Sequence, residues 1–134
     1  MKDSTTRKRI VLAEDHAPMR QVVREIIDQH DGWEVEAEAD NGWDAVEIVD
    51  RNNPDLVVMD INMPGMNGLE ATRRISSSHP DTKIVVLSNY TNQPLVNAAL
   101  KSGATGYVGK QAAFEELIPA MESAFQGKVY IATS

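Results

Sequence analysis

Five short runs of apolar and mainly β-branched residues recur along the chain, and each is followed by a stretch with helical periodicity. The runs are RIVLA at 9–13, WEVEAEA at 33–39, DLVVMD at 55–60, KIVVLS at 83–88 and TGYVG at 105–109. The helical stretches begin near Pro18, Asn41, Asn67, Asn92 and Ala113. In the first of them, Val22 and Ile26 are spaced to share one helix face. Strands that alternate with helices in this way indicate an α/β domain.

The apolar runs also predict the kind of sheet. LVVM in the third run and IVVL in the fourth are continuously apolar, which is typical of parallel strands covered by helices on both faces. We therefore expect one α/β domain with a five-stranded parallel sheet, doubly wound in a (βα)5 order, and a length of 134 residues suits it. In such sheets functional groups gather beyond the carboxyl ends of the strands.

Composition excludes several classes of function. The absence of cysteine rules out disulfides, thiolate metal sites and a cysteine nucleophile. A formal net charge of −7 argues against a nucleic-acid-binding surface, because phosphate backbones are bound through clustered Lys and Arg. No apolar run is long enough to span a membrane, and the basic first residues are not followed by the apolar stretch of a secretory signal. An intracellular, cytoplasmic location is expected.

Polar residues stand where the predicted strands end. Glu14 and Asp15 follow the first strand, Asp60 ends the third, Ser88 ends the fourth and Lys110 follows the fifth. Three carboxylates brought to one edge of a sheet repel one another, and a divalent cation offsets that repulsion. Oxygen ligands of this kind suit Mg²⁺. Taken singly, each residue could be an ordinary turn former, but together they predict a metal-assisted site.

The segment DINMPGMNGLE, residues 60–70, makes the interpretation specific. Together with the Glu-Asp pair, Ser88 and Lys110, it resembles the receiver domain of bacterial two-component response regulators. The resemblance extends from about Arg9 to Gly127 and implies a flavodoxin- or CheY-like fold. It also implies a signalling function, in which the domain accepts a phosphoryl group and assists only its own phosphorylation and dephosphorylation, without being an enzyme otherwise.

The resemblance assigns a role to each polar residue of the site. Asp60 takes the place of the phosphoacceptor, with Asp15, Asp60 and the backbone carbonyl of Asn62 as Mg²⁺ ligands. Glu14 would act through a metal-bound water. Lys110 supplies a positive charge for phosphoryl transfer, a reaction that depends largely on positioning and electrostatic stabilisation.

Two further residues resemble the conformational switch of the family. Ser88 corresponds to the hydroxyl that turns toward the new phosphoryl oxygens, and Tyr107 to the aromatic residue that moves inward with it. Edge packing is the alternative role for Tyr107. The chain departs from many receivers after Lys110, where Gln111 stands in place of Pro, which leaves the local backbone geometry open.

The last part of the chain indicates a subfamily. FEELIPAMESAFQGKVYIATS resembles the end of NarL/FixJ receivers, which precede a LuxR-type helix-turn-helix domain. We therefore expect a disordered tail at 1–8, a receiver domain at 9–127 and the start of a linker at 128–134. The expected partners are a histidine kinase and a second copy on phosphorylation, while DNA is contacted only through a C-terminal domain missing from this chain.

Two other functions fit parts of the pattern. One is a stand-alone protein-interaction receiver, or a pseudo-receiver without phosphorylation, although the complete set of strand-end residues argues against the latter. The other is a Mg²⁺-dependent phosphatase that forms an aspartyl phosphate on a similar sheet. Such phosphatases commonly carry a second acid two residues after the nucleophile, where this chain has Asn62.

Overall fold

The computed structural model describes residues 7–133 and shows strands that alternate with helices around one sheet. The strands are β1 Lys8–Ala13, β2 Trp33–Ala39, β3 Leu56–Asp60, β4 Lys83–Ser88, β5 Gly106–Gly109 and β6 Tyr130–Ala132. The helices are α1 Ala17–Asp28, α2 Gly42–Asn52, α3 Gly68–Ser78, α4 Gln93–Lys101 and α5 Ala113–Phe125. A short 3₁₀ turn, Lys110–Ala112, joins β5 to α5. Within 7–133, no helix is long and apolar enough to cross a bilayer.

All strand pairs are parallel, in the spatial order β2-β1-β3-β4-β5-β6. Side chains alternate between the two faces of the sheet, so β3 supplies Val57 and Met59 to one core and Leu56 and Val58 to the other. Residues of α2, α3 and α4 cover the first core, and residues of α1 and α5 cover the second. The doubly wound α/β architecture is confirmed, and every strand of the parallel sheet directs its carboxyl end to the same edge.

The sheet has six strands rather than the five expected. β6 lies within the segment 128–134 that the sequence indicated as a linker, and it pairs with β5 through Tyr107 and Ile131. A short strand there satisfies hydrogen-bonding groups that β5 would otherwise present at an open edge. At the other end, β1 already begins at Lys8, inside the expected disordered tail; residues 1–6 of that tail lie outside the described residues.

Three of the helices begin at asparagines that cap them. The side chains of Asn41, Asn67 and Asn92 each accept a hydrogen bond from the backbone N–H three residues later. This bond satisfies one of the four free N–H groups at a helix start and favours Asn at that position. The caps lie at the start of α2, α3 and α4, close to where the sequence placed the helix starts.

Gly68 fixes how closely α3 approaches the end of β3. Its N–H donates to the carbonyl of Ile61 at 2.8 Å, which closes the loop after Asp60. A Cβ added at Gly68 would lie 2.0 Å from the carbonyl oxygen of Asp60 and 2.7 Å from Cα of Ile61. These are backbone atoms that cannot swing away, so the absence of a side chain lets the helix pack here.

Gly68→Ala is therefore expected to destabilise the domain by roughly 1–3 kcal/mol or more, through overpacking against the end of β3. Urea unfolding followed by circular dichroism measures this change. Ser77→Ala, at an exposed position on the same helix, is the control and is expected to unfold within about 0.5 kcal/mol of the wild type. Equal stability of the Gly68→Ala and Ser77→Ala variants would contradict the packing argument.

Candidate functional site

Three carboxylates meet at the carboxyl edge of the sheet. Glu14 and Asp15 follow β1 and Asp60 ends β3, and one oxygen from each lies within 4.8 Å of the others. Glu14 and Asp60 are buried, with 1% and 3% of their surfaces exposed, whereas Asp15 is exposed. β1 and β3 are neighbours in the sheet, so residues that directly follow them are forced together. The sequence prediction that these residues converge is confirmed by the geometry.

Lys110 reaches the same cluster from the end of β5. Its Nζ lies 2.8 Å from Oε1 of Glu14 and 3.4 Å from Oδ2 of Asp60. The Lys110 side chain is 12% exposed, so the ion pairs are largely shielded from water. One ammonium group faces three carboxylates, which leaves negative charge in excess.

The pKa of Asp60 is raised to about 7. Burial is the largest cause, and the charge of Glu14 adds to it. Lys110 acts in the opposite direction, as does the backbone N–H of Asn62, which donates to Oδ1 of Asp60 at 3.3 Å. The Asp60 carboxylate is therefore a high-energy anion in the absence of another cation.

The donor atoms fit a hard divalent cation. Oε1 of Glu14 is buried, and within residues 7–133 its close polar partner is the ammonium group of Lys110, 2.8 Å away. A cavity of about 490 Å³ opens above the carboxylates and is lined by Glu14, Asp15, His16, Met19, Asp60, Asn62, Asn89 and Lys110. Clustered oxygen ligands with space for water match what Mg²⁺ requires. Asn62 borders the cavity, as its expected role requires.

Ser88 and Tyr107 are connected through the loop after β4. The Oγ of Ser88, which is buried at the end of β4, accepts a hydrogen bond from the backbone N–H of Tyr90 at 3.0 Å. The hydroxyl of Tyr107 donates to the backbone carbonyl of Tyr90. Tyr107 has no exposed surface, and burial raises its pKa, partly offset by a hydrogen bond with Ser88. The ring lies in the core rather than packing at an edge.

Sequence reasoning missed several contributors to the site. Met19 lines the cavity, although only its predicted place in a helix was visible in the sequence. The backbone of Tyr90 links Ser88 to Tyr107, and a backbone contact leaves no signal in residue type. Arg20 of α1 donates from Nη1 to the backbone carbonyl of Glu14 at 2.7 Å, a contact that requires the three-dimensional structure.

After Lys110, where Gln111 replaces the Pro of many receivers, the chain continues as the 3₁₀ turn. There are no cis peptide bonds among residues 7–133. Gln111 is exposed, while Lys110 still points to the carboxylates. The altered residue is therefore compatible with the expected position of the Lys110 ammonium group.

Comparisons with known proteins agree with this geometry. The model of the response regulator receiver domain family matches residues 10–122. Transcriptional regulatory protein DegU of Brevibacillus brevis is 42% identical over 122 residues, which cover 91% of this chain and 52% of that protein. Response regulator UvrY of Escherichia coli strain K12 is 41% identical over 124 residues, which cover 92% of this chain and 57% of that protein. The chain thus spans about half the length of these curated relatives.

Solved structures show the same similarity. A LuxR-family two-component response regulator from Aurantimonas sp. SI85-9A1 superposes with a TM-score of 0.90 at 32% identity, covering 94% of this chain and 90% of that chain. A LuxR-family DNA-binding response regulator from Staphylococcus aureus superposes with a TM-score of 0.81 at 31% identity, covering 87% of this chain and 98% of that chain.

The raised pKa of Asp60 predicts how the metal-free domain responds to pH. Between the ordinary value of 3.8 and about 7, the unfolded chain releases this proton while the folded chain keeps it, so stability falls as the pH rises through this window. Asp60→Asn removes the buried charge and is expected to raise stability by roughly 1–3 kcal/mol at about pH 8 with a chelator, and by much less at about pH 4.

Thermal unfolding at the two pH values measures this difference. Asp15→Asn, which removes an exposed carboxylate from the same cluster, is the matched control and is expected to stabilise the domain less. A stabilisation by Asp60→Asn that does not change with pH would show that Asp60 is ionised throughout this range.

Proposed function

Because the chain belongs to the response regulator receiver domain family, we propose that Asp60 is its phosphoacceptor and takes a phosphoryl group from a histidine kinase. The chain is thus the receiver domain of a two-component response regulator, a class of signalling protein. The observation that carries the proposal is the buried Asp60 carboxylate at the base of an open cavity, between Glu14 and Lys110. We assign the receiver to residues 9–127.

The chemistry requires an ionised Asp60. One carboxylate oxygen attacks the phosphorus of the kinase phosphohistidine, and the phosphorus–nitrogen bond breaks with its electron pair returning to the imidazole. The product is an aspartyl phosphate. Lys110 lies 3.4 Å from the Asp60 carboxylate, where its ammonium group stabilises negative charge on the transferred phosphoryl oxygens. Phosphorylation changes the conformation of the domain. The domain assists only its own phosphorylation and dephosphorylation and catalyses no other reaction.

Mg²⁺ is the proposed cofactor. Asp15, Asp60 and the backbone carbonyl of Asn62 would hold it directly, and Glu14 would hold it through a water. When bound, the ion supplies positive charge that lowers the pKa of Asp60 and offsets the charge of the phosphoryl donor. The support for this assignment is the cluster of oxygens within 4.8 Å, in which three carboxylates face the single ammonium group of Lys110.

The switch is proposed to run through Ser88 and Tyr107. A new phosphoryl group on Asp60 provides strong acceptors for the hydroxyl of Ser88. If Ser88 turns toward them, the Tyr90 backbone N–H loses its acceptor, and the loop that also receives the Tyr107 hydrogen bond is free to shift. A local charge event then changes the surface formed by α4, β5 and α5.

The output is proposed from the relatives, which are described as transcriptional and response regulators. We propose that phosphorylation promotes a homodimer and controls a LuxR-type helix-turn-helix domain C-terminal to residue 127. DNA would be contacted by that domain, since this chain carries a net charge of −7. A cytoplasmic location is part of the same proposal.

Incubation with acetyl phosphate and Mg²⁺ is expected to add one phosphoryl group to the wild-type chain. Intact-mass spectrometry measures the addition. Asp60→Asn, which lacks the nucleophilic carboxylate, and a wild-type sample with excess chelator are both expected to keep the unmodified mass.

Modification of Asp60→Asn to the same extent as the wild type would show that another residue accepts the phosphoryl group. A folded wild-type chain that gains no mass in any sample would instead favour an interaction module without phosphorylation. Equal modification of the wild type with and without chelator would show that phosphorylation does not require Mg²⁺.

Ser88→Ala is expected to retain phosphorylation on Asp60 but to lose the response of Tyr107, because the hydroxyl that links them is absent. Nuclear magnetic resonance of the Tyr107 ring, with beryllofluoride or acetyl phosphate, measures that response against the wild type. Thr105→Ala, which removes a buried hydroxyl that makes no hydrogen bond, is the control and is expected to keep the wild-type response. An unchanged Tyr107 response in Ser88→Ala would rule out this route.

A further inference from the structure

We propose that Arg20 is a positioning residue, which holds the loop carrying Glu14 and Asp15 in the geometry that binds Mg²⁺. The inference rests on the proposed function, because it concerns the metal site of the phosphoacceptor. It assigns a role to a side chain of α1 that bonds the backbone of Glu14 rather than a carboxylate of the cluster.

Several hydrogen bonds hold the loop from β1 to α1, and Arg20 donates one of them. The N–H of Glu14 donates to the carbonyl of Ala39 at 2.9 Å, and the N–H of His16 donates to Oε2 of Glu14 at 3.1 Å. Nη1 of Arg20 donates to the carbonyl of Glu14 at 2.7 Å. That carbonyl belongs to the peptide unit that joins Glu14 to Asp15, so Arg20 fixes the orientation of the peptide between two of the three carboxylate residues.

Arg20 is itself anchored to the sheet. Its Nε donates to Oε1 of Glu38 on β2 at 2.9 Å, while Nη1 makes the bond to Glu14. The Arg20 and Glu38 side chains are 24% and 27% exposed, which is buried enough to restrict their rotamers. A guanidinium group suits this use, because its planar donors can bond two fixed acceptors at once. The result is a strut from β2 through Arg20 to the end of β1.

The strut opposes a force that the cluster creates. Glu14, Asp15 and Asp60 repel one another, and Lys110 offsets only part of that repulsion. A surface loop held by few bonds relieves such repulsion by moving apart, and the ion must then restore the geometry when it binds. A loop that is already fixed avoids this reorganisation cost, and residues behind metal ligands commonly affect affinity in this way.

A purely electrostatic role of Arg20 makes the opposite prediction. The guanidinium group is a positive charge close to a proposed cation site, so removing it would strengthen Mg²⁺ binding if charge alone mattered. Removing a strut would weaken binding. The sign of the change in affinity therefore separates the two roles.

Isothermal titration calorimetry of Mg²⁺ binding to the wild type and to Arg20→Ala tests the proposal. We expect the dissociation constant to rise by about threefold to tenfold in Arg20→Ala. Arg20→Lys keeps the charge but loses the planar pair of donors, and is expected to bind almost as weakly as Arg20→Ala. Amide chemical shifts of residues 14–16 report the loop geometry in the absence of metal, independently of phosphorylation.

Arg24→Ala is the matched control. Arg24 lies one turn further along α1 and pairs with the same Glu38, but Arg24 has no bond to Glu14 among the contacts of residues 7–133. Its loss removes an equal charge and is expected to leave Mg²⁺ affinity within about twofold of the wild type.

Glu38→Ala removes the anchor on β2 without touching the bond to Glu14, and is expected to weaken Mg²⁺ binding in the same direction as Arg20→Ala. If both act through one strut, the double variant binds no more weakly than Arg20→Ala. Loss of the Glu38 charge alone would also weaken cation binding, so the amide shifts of residues 14–16 without metal are compared in Glu38→Ala. Shifts that move away from the wild type there support the strut even if Arg20→Ala fails to fold, and unchanged shifts would overturn it.

Weaker Mg²⁺ binding in Arg20→Ala and Glu38→Ala, but not in Arg24→Ala, would support the strut. Unchanged or tighter binding in Arg20→Ala, with a wild type that binds Mg²⁺, would overturn this inference alone. Failure of the wild type to bind Mg²⁺ at all would overturn the proposed metal site, and the inference with it.

Discussion

The crowding of negative charge at one edge of the sheet is the constraint on which the rest of the site depends. Glu14, Asp15 and Asp60 are placed within 4.8 Å of one another because β1 and β3 are parallel neighbours and end at the same level. Burial keeps water from screening Glu14 and Asp60, and the pKa of Asp60 rises to about 7 as a result. The folded domain holds this unfavourable arrangement because the two cores, one on each face of the sheet, fix the strands that carry it.

This electrostatic repulsion costs stability, and binding of positive charge is what would reduce it. A bound cation, or a phosphoryl donor paired with a cation, would lower the energy of these carboxylates. Stability, metal affinity and reactivity are then different measures of one charge imbalance. Lys110 offsets part of this imbalance, since it reaches both Glu14 and Asp60 and lowers the pKa of Asp60 against the effect of burial. Arg20 acts from behind the cluster, where it bonds a carbonyl and does not compete for the carboxylates.

Much of this could be predicted from the sequence, for a physical reason. A residue that directly follows a parallel strand must lie at the carboxyl edge, so the positions of Asp60 and Lys110 follow from the strand pattern alone. The asparagine caps Asn41 and Asn67 are equally local signals. β6 was not predicted, since a three-residue strand is stabilised by its partner β5 rather than by its own sequence. The Arg20 contact was also missed, because a long side chain that bonds a backbone carbonyl leaves no pattern in the sequence.

The proposed path from Asp60 to the surface depends on hydrogen bonds to the hydroxyl groups of Ser88 and Tyr107. Ser88 accepts from the N–H of Tyr90, and Tyr107 donates to the carbonyl of the same residue. If Ser88 turns to a phosphoryl oxygen, the Tyr90 loop loses one of its bonds to the sheet and shifts. A fully buried Tyr107 hydroxyl left without an acceptor would cost about 1–3 kcal/mol, so the Tyr107 ring must follow the loop. Tyr107 is paired with Ile131 in β6, so a movement of the ring that displaces β5 also reaches the C-terminal strand of the described domain. Ser88, the Tyr90 backbone, Tyr107 and β6 are thereby connected through two hydrogen bonds and one strand pair.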